Sequence, residues 1–268
     1  MKVKDVMTRP PLTARRDDSV ELALQIMGWG EVRHLPIVDE GRLVGVVSER
    51  DLLSNRERGR TLGEVMSSPV QTARPDDDLA EAAARMVRER LGCLPVVANN
   101  ELLGMVTVTD VVAAQAGMSG QRDADQVTAG EVMTRLPLTV SPEDLLFDAV
   151  ARMAVRQIRH APVVDGEGRV LGMLSDRDVR LALGATLMTV PDAAAPVRVQ
   201  LLKVRDVMSR DPILVALDTS LYEVATALRF RNVGALPVVD RAGRIAGIIS
   251  YVDLLREFLG RRQSPRRG

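Results

Sequence analysis

The sequence predicts an α/β (α+β) protein built from four copies of one small unit. A short apolar-acidic-apolar-methionine phrase occurs four times in the 268 residues, and a proline follows each of these methionines at the same distance. Each copy also contains one helix-like stripe of apolar residues followed by two β-branched runs. The chain is therefore expected to be an array of repeats and not one large domain.

The opening phrases are KDVMT, GEVMS, GEVMT and RDVMS. A proline lies 29 positions after each methionine, a glycine follows nine or ten positions later, and an aspartate comes six positions after the glycine. The methionines are Met7, Met66, Met133 and Met208; the prolines Pro36, Pro95, Pro162 and Pro237; the glycines Gly45, Gly104, Gly172 and Gly247; the aspartates Asp51, Asp110, Asp178 and Asp253. This fixed spacing defines a unit of about 50 residues.

A first helix is predicted to start 13 residues after each methionine. Apolar residues recur there at positions i, i+3, i+4 and i+7, which is the spacing of one helix face. In the first copy they are Val20, Ala23, Leu24 and Met27, and in the fourth Leu221, Val224, Ala225 and Leu228.

Two strands and a second helix are predicted to complete each copy. The runs LPIVD, LPVVA, APVVD and LPVVD precede GVVS, GMVT, GMLS and GIIS, and turn residues such as Glu40-Gly41 or Gly166-Glu167-Gly168 separate them, which indicates a hairpin. The repeated aspartate then falls in the first turn of the second helix. Each copy is a strand-helix-strand-strand-helix unit too small to bury its apolar surface alone, so the copies are expected to pair.

The predicted boundaries place the four copies at 1–56, 57–117, 126–186 and 200–260, followed by a basic tail at 261–268. A polar stretch at 117–125 is expected to divide the two pairs. The extra segment at 185–202 contains Pro191 and Pro196, which argue against one continuous helix. The tail is expected to be solvated and disordered; its arginines are Arg261, Arg262, Arg266 and Arg267.

Composition disfavours nucleic acid and membranes as partners. Thirty-six basic residues balance 36 acidic ones, and aromatic residues make up only 2% of the chain, so few stacking surfaces exist. The tail arginines make few phosphate contacts. A single cysteine, Cys93, excludes an intrachain disulfide and suits a reducing compartment. With no signal-peptide-like start and no apolar run of about 18 residues, a soluble cytoplasmic protein is expected.

The segment RHLPIVDEGRLVGVVSERDLL, from Arg33 to Leu53, resembles the cystathionine-beta-synthase (CBS) domain. The segments GCLPVVANNELLGMVTVTDVV, RHAPVVDGEGRVLGMLSDRDV and GALPVVDRAGRIAGIISYVDLL resemble it too, and the likeness extends from Val3 to Leu259. The resemblance implies two Bateman modules, in which paired copies pack sheet to sheet about a pseudo-two-fold axis. It also implies clefts that often bind AMP, ADP, ATP or S-adenosylmethionine, and a homodimer or a disc of two modules.

A Ser or Thr at the start of the second helix and the aspartate three residues later form one candidate site. An ionised Asp is an acceptor that can take both hydroxyls of a ribose, as the resemblance implies for Asp51 and its equivalents. The same pattern is close to a capping box that only satisfies helix donors, although Glu or Gln is the usual partner there. The pairs are Ser48 with Asp51, Thr107 with Asp110, Ser175 with Asp178 and Ser250 with Asp253.

Basic residues distinguish the odd-numbered copies from the even-numbered ones. The first and third copies carry Arg33-His34 and Arg159-His160 before the hairpin, and Arg50 and Arg177 just ahead of the aspartate. The second and fourth have Gly92-Cys93 and Gly234-Ala235 instead. Because Arg binds phosphate in a bidentate way, one strong site per module is expected on the odd copies. An odd-copy arginine can also serve a ligand whose ribose lies on the even copy.

Neutral interpretations of three residue types stay open. The histidines are equally well explained as structural residues bonded to backbone. Cys93 is expected to be a small core residue. The four methionines are expected to line the core or the clefts.

The predicted function is a regulatory sensor that binds AMP, ADP, ATP or S-adenosylmethionine and alters an unidentified partner or its own assembly. No metal-ligand spacing, nucleophile elbow or phosphate loop is present, so neither catalysis nor a catalytic cofactor nor a metal is predicted. The alternative is a ligand-free interaction or dimerisation module. The predicted ligand-binding residues are Arg33, His34, Ser48, Arg50, Asp51, Thr107, Asp110, Arg159, His160, Ser175, Arg177, Asp178, Ser250 and Asp253.

Overall fold

The computed structural model describes residues 1–55, 59–118, 127–183, 201–231 and 233–263. Two compact units are present, Met1–Val111 and Val112–Gly268, and each holds two copies of the repeat. The division falls within a helix just before the predicted polar stretch at 117–125, most of which lies outside the described residues.

The first unit contains the first two copies and follows the predicted order of elements. Its helices are α1 (Val20–Trp29), α2 (Glu49–Ser54), α3 (Leu62–Val65), α4 (Leu79–Glu89) and α5 (Val108–Met118), the last of which extends beyond the unit's limit. Its strands are β1 (Ala14–Arg15), β2 (His34–Asp39), β3 (Arg42–Ser48), β4 (Cys93–Ala98) and β5 (Glu101–Thr107).

The second unit repeats this order in the third and fourth copies. Its helices are α6 (Ala129–Val132), α7 (Leu146–Val155), α8 (Asp176–Leu183), α9 (Leu221–Phe230) and α10 (Tyr251–Gln263). Its strands are β6 (Thr134–Arg135), β7 (His160–Val164), β8 (Val170–Ser175), β9 (Ser209–Arg210), β10 (Val215–Ala216), β11 (Ala235–Val239) and β12 (Ile245–Ser250).

The first helices form where the apolar spacing predicts them. In α9 all four predicted stripe residues are buried, and in α1 three of the four are buried while Leu24 packs at the edge of the core. Ser19 caps α1 by accepting from Leu22 N at 3.1 Å. Ser220 and Glu223 form a capping box at α9. Helix periodicity and caps together therefore place these elements.

The hairpins also form as predicted, with antiparallel pairs β2–β3, β4–β5, β7–β8 and β11–β12. The predicted first strand of each copy is much shorter. It runs parallel to the hairpin as two residues in β1 and β10, and as a single bridge at Ala73 and at Val140. Prolines precede all four segments, and because proline lacks an N–H group it limits ladder pairing there.

The opening phrases are exchanged between paired copies. Each forms a single helical turn and then pairs with the hairpin of the other copy: β6 with β12, β9 with β8, Thr8 with Met105 and Ser67 with Val46. Leu62 accordingly belongs to the core of the first copy and Val204 to that of the third. Each copy thus completes the core of its neighbour.

The repeated glycines explain how the exchanged methionines fit. A Cβ atom on Gly104 would lie 2.9 Å from Met7 Sδ, and one on Gly172 would lie 2.8 Å from Met208 Sδ. Gly45 faces Met66 and Gly247 faces Met133 in the same way. The glycine is needed for space, because a side chain there would overlap the methionine of the other copy.

The C-terminal end differs from the expectation of a disordered basic tail. Helix α10 continues to Gln263, so Arg261 and Arg262 lie on helical backbone. The prediction was wrong for these two residues because the second helix of the fourth copy propagates past its apolar face. Arg266 and Arg267 lie outside the described residues, as does most of the extra segment at 185–202.

Candidate ligand-binding site

All four Ser/Thr–Asp pairs adopt one geometry at the start of the second helix. In the first copy Asp51 Oδ2 accepts from Ser48 N at 2.9 Å and from Ser48 Oγ at 2.6 Å. The corresponding bonds of Asp110, Asp178 and Asp253 are 2.8 and 2.7 Å, 3.0 and 2.5 Å, and 2.8 and 2.6 Å. The capping interpretation is therefore correct as a description of local structure, with Asp replacing the usual Glu.

Capping does not use the whole carboxylate. In each cap the N–H group and the hydroxyl of the Ser or Thr both donate to Oδ2, and a carboxylate has a second oxygen with further acceptor capacity. At Asp178 this second oxygen, Oδ1, accepts from Ser209 Oγ at 3.2 Å. Ser209 is exposed and belongs to the exchanged segment of the fourth copy, so two copies meet at this carboxylate.

The odd-copy basic residues gather around the same caps. His34 is the first residue of β2 and pairs directly with Ser48 at the end of β3. The carbonyl oxygen of Arg33 accepts from Glu49 N, the first residue of α2, at 2.8 Å. In the third copy His160 pairs with Ser175, and the carbonyl oxygen of Arg159 accepts from Asp176 N at 2.9 Å. Arg50 and Arg177 lie in the same first turns and are exposed.

The even copies contribute their small residues to this region. A Cβ on Gly92 would lie 2.8 Å from His34 Nε2, and a Cβ on Gly234 would lie 2.7 Å from His160 Nε2. The imidazole of each odd copy therefore rests on a glycine of its partner copy. Each histidine lies at the junction of two copies, in the first unit and again in the second.

Cys93 lies on the even-copy side of the first junction. Burial, and to a smaller extent the negative charge of Asp51, raise the pKa of its thiol to about 12. The prediction of a small buried residue is confirmed. The influence of Asp51 also indicates that the cap of the first copy is close to Cys93 of the second.

The predicted residues thus separate into one group in each unit. Sequence reasoning missed Gly92, Gly234 and Ser209 as members of these groups. The signal available for the glycines was their repeat position, where Gly followed by a small residue stands opposite Arg-His. For Ser209 the signal was the hydroxyl residue that follows the methionine in every copy.

Other features of the described residues lie elsewhere or are absent. Two surface cavities of about 380 Å³ are lined by residues around Tyr222 and Phe230 and around Arg15 and Asp39, away from the caps. Within the described ranges, no group of three or more His, Cys, Asp or Glu side chains is arranged to hold a metal ion. No helix among them is long and apolar enough to cross a membrane.

The fold and the site together define a class of small tandem-repeat proteins. Their strand-helix-strand-strand-helix copies are paired, exchange their opening segments, and carry caps and basic residues at the copy junctions. The chain belongs to the CBS domain family, whose model matches residues 3–58, 62–117, 129–185 and 204–260. The likeness seen in the sequence is therefore confirmed.

Two proteins that match the chain over nearly its whole length share its fold. The uncharacterized protein MJ1225 of Methanocaldococcus jannaschii is 27% identical over 278 residues, which cover 95% of this chain and 96% of that protein. The crystal structure of MJ1225 matches with a TM-score of 0.76 at 24% identity and covers 96% of this chain and 100% of that one. An uncharacterized conserved protein of Pyrococcus horikoshii matches with a TM-score of 0.66 at 24% identity, with the same coverage. These structures show the shared fold.

Proposed function

We propose that the protein is a regulatory sensor that binds an adenosine compound: AMP, ADP, ATP or S-adenosylmethionine. Binding of this ligand alters a partner protein or the protein's own assembly. The observation that carries the proposal is the convergence, in both units, of an odd-copy Ser–Asp cap and histidine with small residues of the even copy. The clefts of this family often hold adenosine compounds. One such site per unit is proposed, on the first and third copies.

The ribose is assigned to the carboxylates of Asp51 and Asp178. Oδ2 of each is engaged by the cap, which fixes the orientation of the side chain and leaves Oδ1 as the acceptor for ribose hydroxyls. At Asp178 the exposed hydroxyl of Ser209 occupies that acceptor at 3.2 Å. A ribose that displaces this hydroxyl alters a contact of the exchanged segment, which gives ligand binding a route to the second copy.

The phosphate is assigned to the odd-copy basic residues and not to the helix start. Each cap already directs a carboxylate at the first turn, and this negative charge repels phosphate. Arg33 and His34 in the first unit, and Arg159 and His160 in the second, supply the positive charge and donors that phosphate requires. Thr107–Asp110 and Ser250–Asp253 belong to the copies that carry Gly92-Cys93 and Gly234-Ala235 at the Arg-His positions, and they are proposed as weaker sites.

Regulation follows because each site contains residues of two copies. A ligand can shift an equilibrium only by binding one state more tightly than the other. A ligand that contacts both copies at a junction binds one packing arrangement of the junction more tightly than another, because a change in packing changes its contacts. The proposal therefore predicts that occupancy alters the stability of the paired unit.

Thermal unfolding of the full-length chain with AMP, ADP, ATP or S-adenosylmethionine tests this function. A ligand at a hundred times its Kd adds about 2.7 kcal/mol to the free energy of unfolding. The Asp51→Asn/Asp178→Asn variant keeps an acceptor for each cap but loses the charge, so it should lose most of the ligand-dependent shift. Glu223→Gln, which changes a capping box on a first helix, is the matched control and should respond like wild type.

Two outcomes contradict the proposal. If no adenosine compound raises the unfolding midpoint at millimolar concentration, the sensor function is wrong. If the double variant responds like wild type, ligand binding stands but the assigned carboxylates are wrong.

A second candidate function is self-association without a ligand. Trp29 at the end of α1 is 82% exposed and Phe230 at the equivalent position of α9 is 79% exposed, and large exposed apolar side chains favour contact with a second copy. Sedimentation velocity of Trp29→Ser/Phe230→Ser should then show a smaller species than wild type. Val155→Ser, at the equivalent position of α7 and 85% exposed, is the control. Wild-type protein that sediments as a monomer contradicts this function.

A further inference from the structure

The contact between an odd-copy histidine and an even-copy glycine occurs once in each unit. A Cβ on Gly92 would lie 2.8 Å from Nε2 and 2.9 Å from Cε1 of His34. A Cβ on Gly234 would lie 2.7 Å and 2.6 Å from the same atoms of His160. All four distances are shorter than van der Waals contact between carbon and a ring atom allows. An alanine at either position requires the imidazole to move.

The reason for glycine at these positions is space and not backbone conformation. Among the described residues the glycines with positive φ are Gly41, Gly59, Gly168 and Gly243, and neither junction glycine is among them. Any residue can therefore adopt the backbone of Gly92 and Gly234. Only the side chain of a substituent conflicts with the neighbouring histidine.

The contact sets the position of one edge of the ring. Nε2 and Cε1 are the two ring atoms nearest to each glycine, and the backbone of the histidine is fixed by pairing with the Ser of the cap. The glycine thus defines how far the imidazole extends across the junction from the capped carboxylate. A shift of about an ångström in a positioned group is sufficient to weaken a directional polar contact strongly.

We infer that Gly92 and Gly234 are positioning residues that hold the His34 and His160 imidazoles where they contact the phosphate of a phosphorylated adenosine ligand. This inference rests on the proposed function and makes it more specific. The odd copies supply the basic groups. The even copies have a glycine opposite the histidine, and because glycine lacks a side chain the imidazole can reach the ligand. The selectivity for a phosphorylated ligand over adenosine then depends on residues of both copies.

The test compares AMP with adenosine by isothermal titration calorimetry on the full-length chain. Gly92→Ala/Gly234→Ala should weaken AMP binding about tenfold, the size of one lost charge-assisted hydrogen bond, and change the Kd of adenosine less than about twofold. Gly28→Ala/Gly260→Ala is the matched control, because a Cβ at either position meets no atom within 4 Å. Its affinities for both ligands should equal those of wild type.

A double-mutant cycle separates positioning from a general disturbance of the junction. His34→Ala/His160→Ala should weaken AMP binding as much as the glycine variant does, and the combined four-site variant should be no weaker than either. If Gly92→Ala/Gly234→Ala does not fold, the four-site variant should fold, since removal of the imidazoles vacates the space. A four-site variant that stays unfolded, or an additive loss of AMP affinity, overturns the inference.

The remaining outcomes are also decisive. Equal weakening of AMP and adenosine by the glycine variant overturns the positioning role, as does an unchanged preference for AMP. If wild type binds no phosphorylated adenosine compound, the inference and the phosphate assignment are both wrong, whereas binding of S-adenosylmethionine would leave the proposed sensor function standing. Binding of AMP by wild type with unchanged binding by the glycine variant overturns only the inference.

Discussion

The two units share one plan of exchanged segments and histidine–glycine junctions, but they differ in the core of the second helix. Arg180 in α8 is buried at a position where the other copies have the buried residues Leu53, Val112 and Leu255. Its Nε donates to Asp176 Oδ1 at 3.0 Å, one helical turn earlier. The position therefore requires a buried side chain of sufficient size, and a charged one is accepted where its partner is supplied on the same helix.

The hairpins of the units differ as well. In the first unit two-residue turns with positive φ, Glu40-Gly41 and Asn99-Asn100, connect the strands. In the second unit the hairpins are one residue longer, and the side chains of Asp165 and Asp240 close the turns by accepting backbone N–H groups. Beyond these longer turns Arg169 and Arg244 form a bridge that joins the third and fourth copies.

The largest effect is expected from breaking the buried ion pair. Asp176→Ala should lower the free energy of unfolding in urea by about 3 kcal/mol, because it removes the carboxylate to which the buried Arg180 guanidinium, only 6% exposed, donates. Asp176→Val/Arg180→Val installs the residues of the second copy, Val108 and Val112, and should be within about 1 kcal/mol of wild type. A double variant as unstable as the single one would mean that the charge itself is required.

The exchanged methionines should matter equally in both units. Met7 and Met133 are 8% and 7% exposed, and replacement of either by Ala should lower the free energy of unfolding by about 2 kcal/mol, because it leaves a cavity against the facing glycine. Leu181→Ala, at a 51% exposed residue of α8, is the control for loss of a large apolar side chain. Losses that differ by more than about 1 kcal/mol between the units would show that the exchange stabilises them unequally.

Cys93 should make the stability of the first unit depend on pH. The second unit has Ala235 at the equivalent position, which cannot ionise. The pKa of the thiol is raised from 9.0 to about 12 by burial, so the unfolded chain ionises at a lower pH than the folded one. The stabilisation is fully present below pH 9 and is lost as the pH rises toward 12. At pH 10 wild type should have lost about 1.4 kcal/mol relative to Cys93→Ala, measured as the difference between their urea unfolding curves at pH 7.5 and pH 10.

The smallest effect concerns the opening loop. Leu136 has a φ of 50° and is 94% exposed, whereas the first unit has Pro10 at the equivalent position. Leu136→Gly should increase the free energy of unfolding by about 0.5 kcal/mol and so raise the midpoint of thermal unfolding slightly. Glycine adopts the left-handed backbone without strain, and the exposed leucine side chain makes few contacts to lose. Asp211→Gly, with a φ of 51°, should gain less because aspartate tolerates this conformation. A loss on Leu136→Gly would mean that the leucine makes a stabilising contact.

The sequence by itself determined the repeat, the class of each element and the capped aspartates. Helix stripes such as Val20, Ala23 and Met27, the hairpin runs and the Ser48–Asp51 spacing all report interactions between residues that are close along the chain. Because such short-range interactions govern local backbone geometry, helices, strands and caps can be predicted from the spacing of residues in a single sequence. The short first strands and the helical Arg261 and Arg262 were less legible, because strand pairing and helix ends depend on context.

Only the tertiary structure decided what the copies share. Thr8 pairs with Met105, His34 rests on Gly92, and Ser209 donates to Asp178, contacts that join one copy to the next. No periodicity encodes which of several identical segments docks on which hairpin. That choice is made by shape and burial, since each copy lacks the surface to cover its own core and takes the opening segment of its neighbour to complete it.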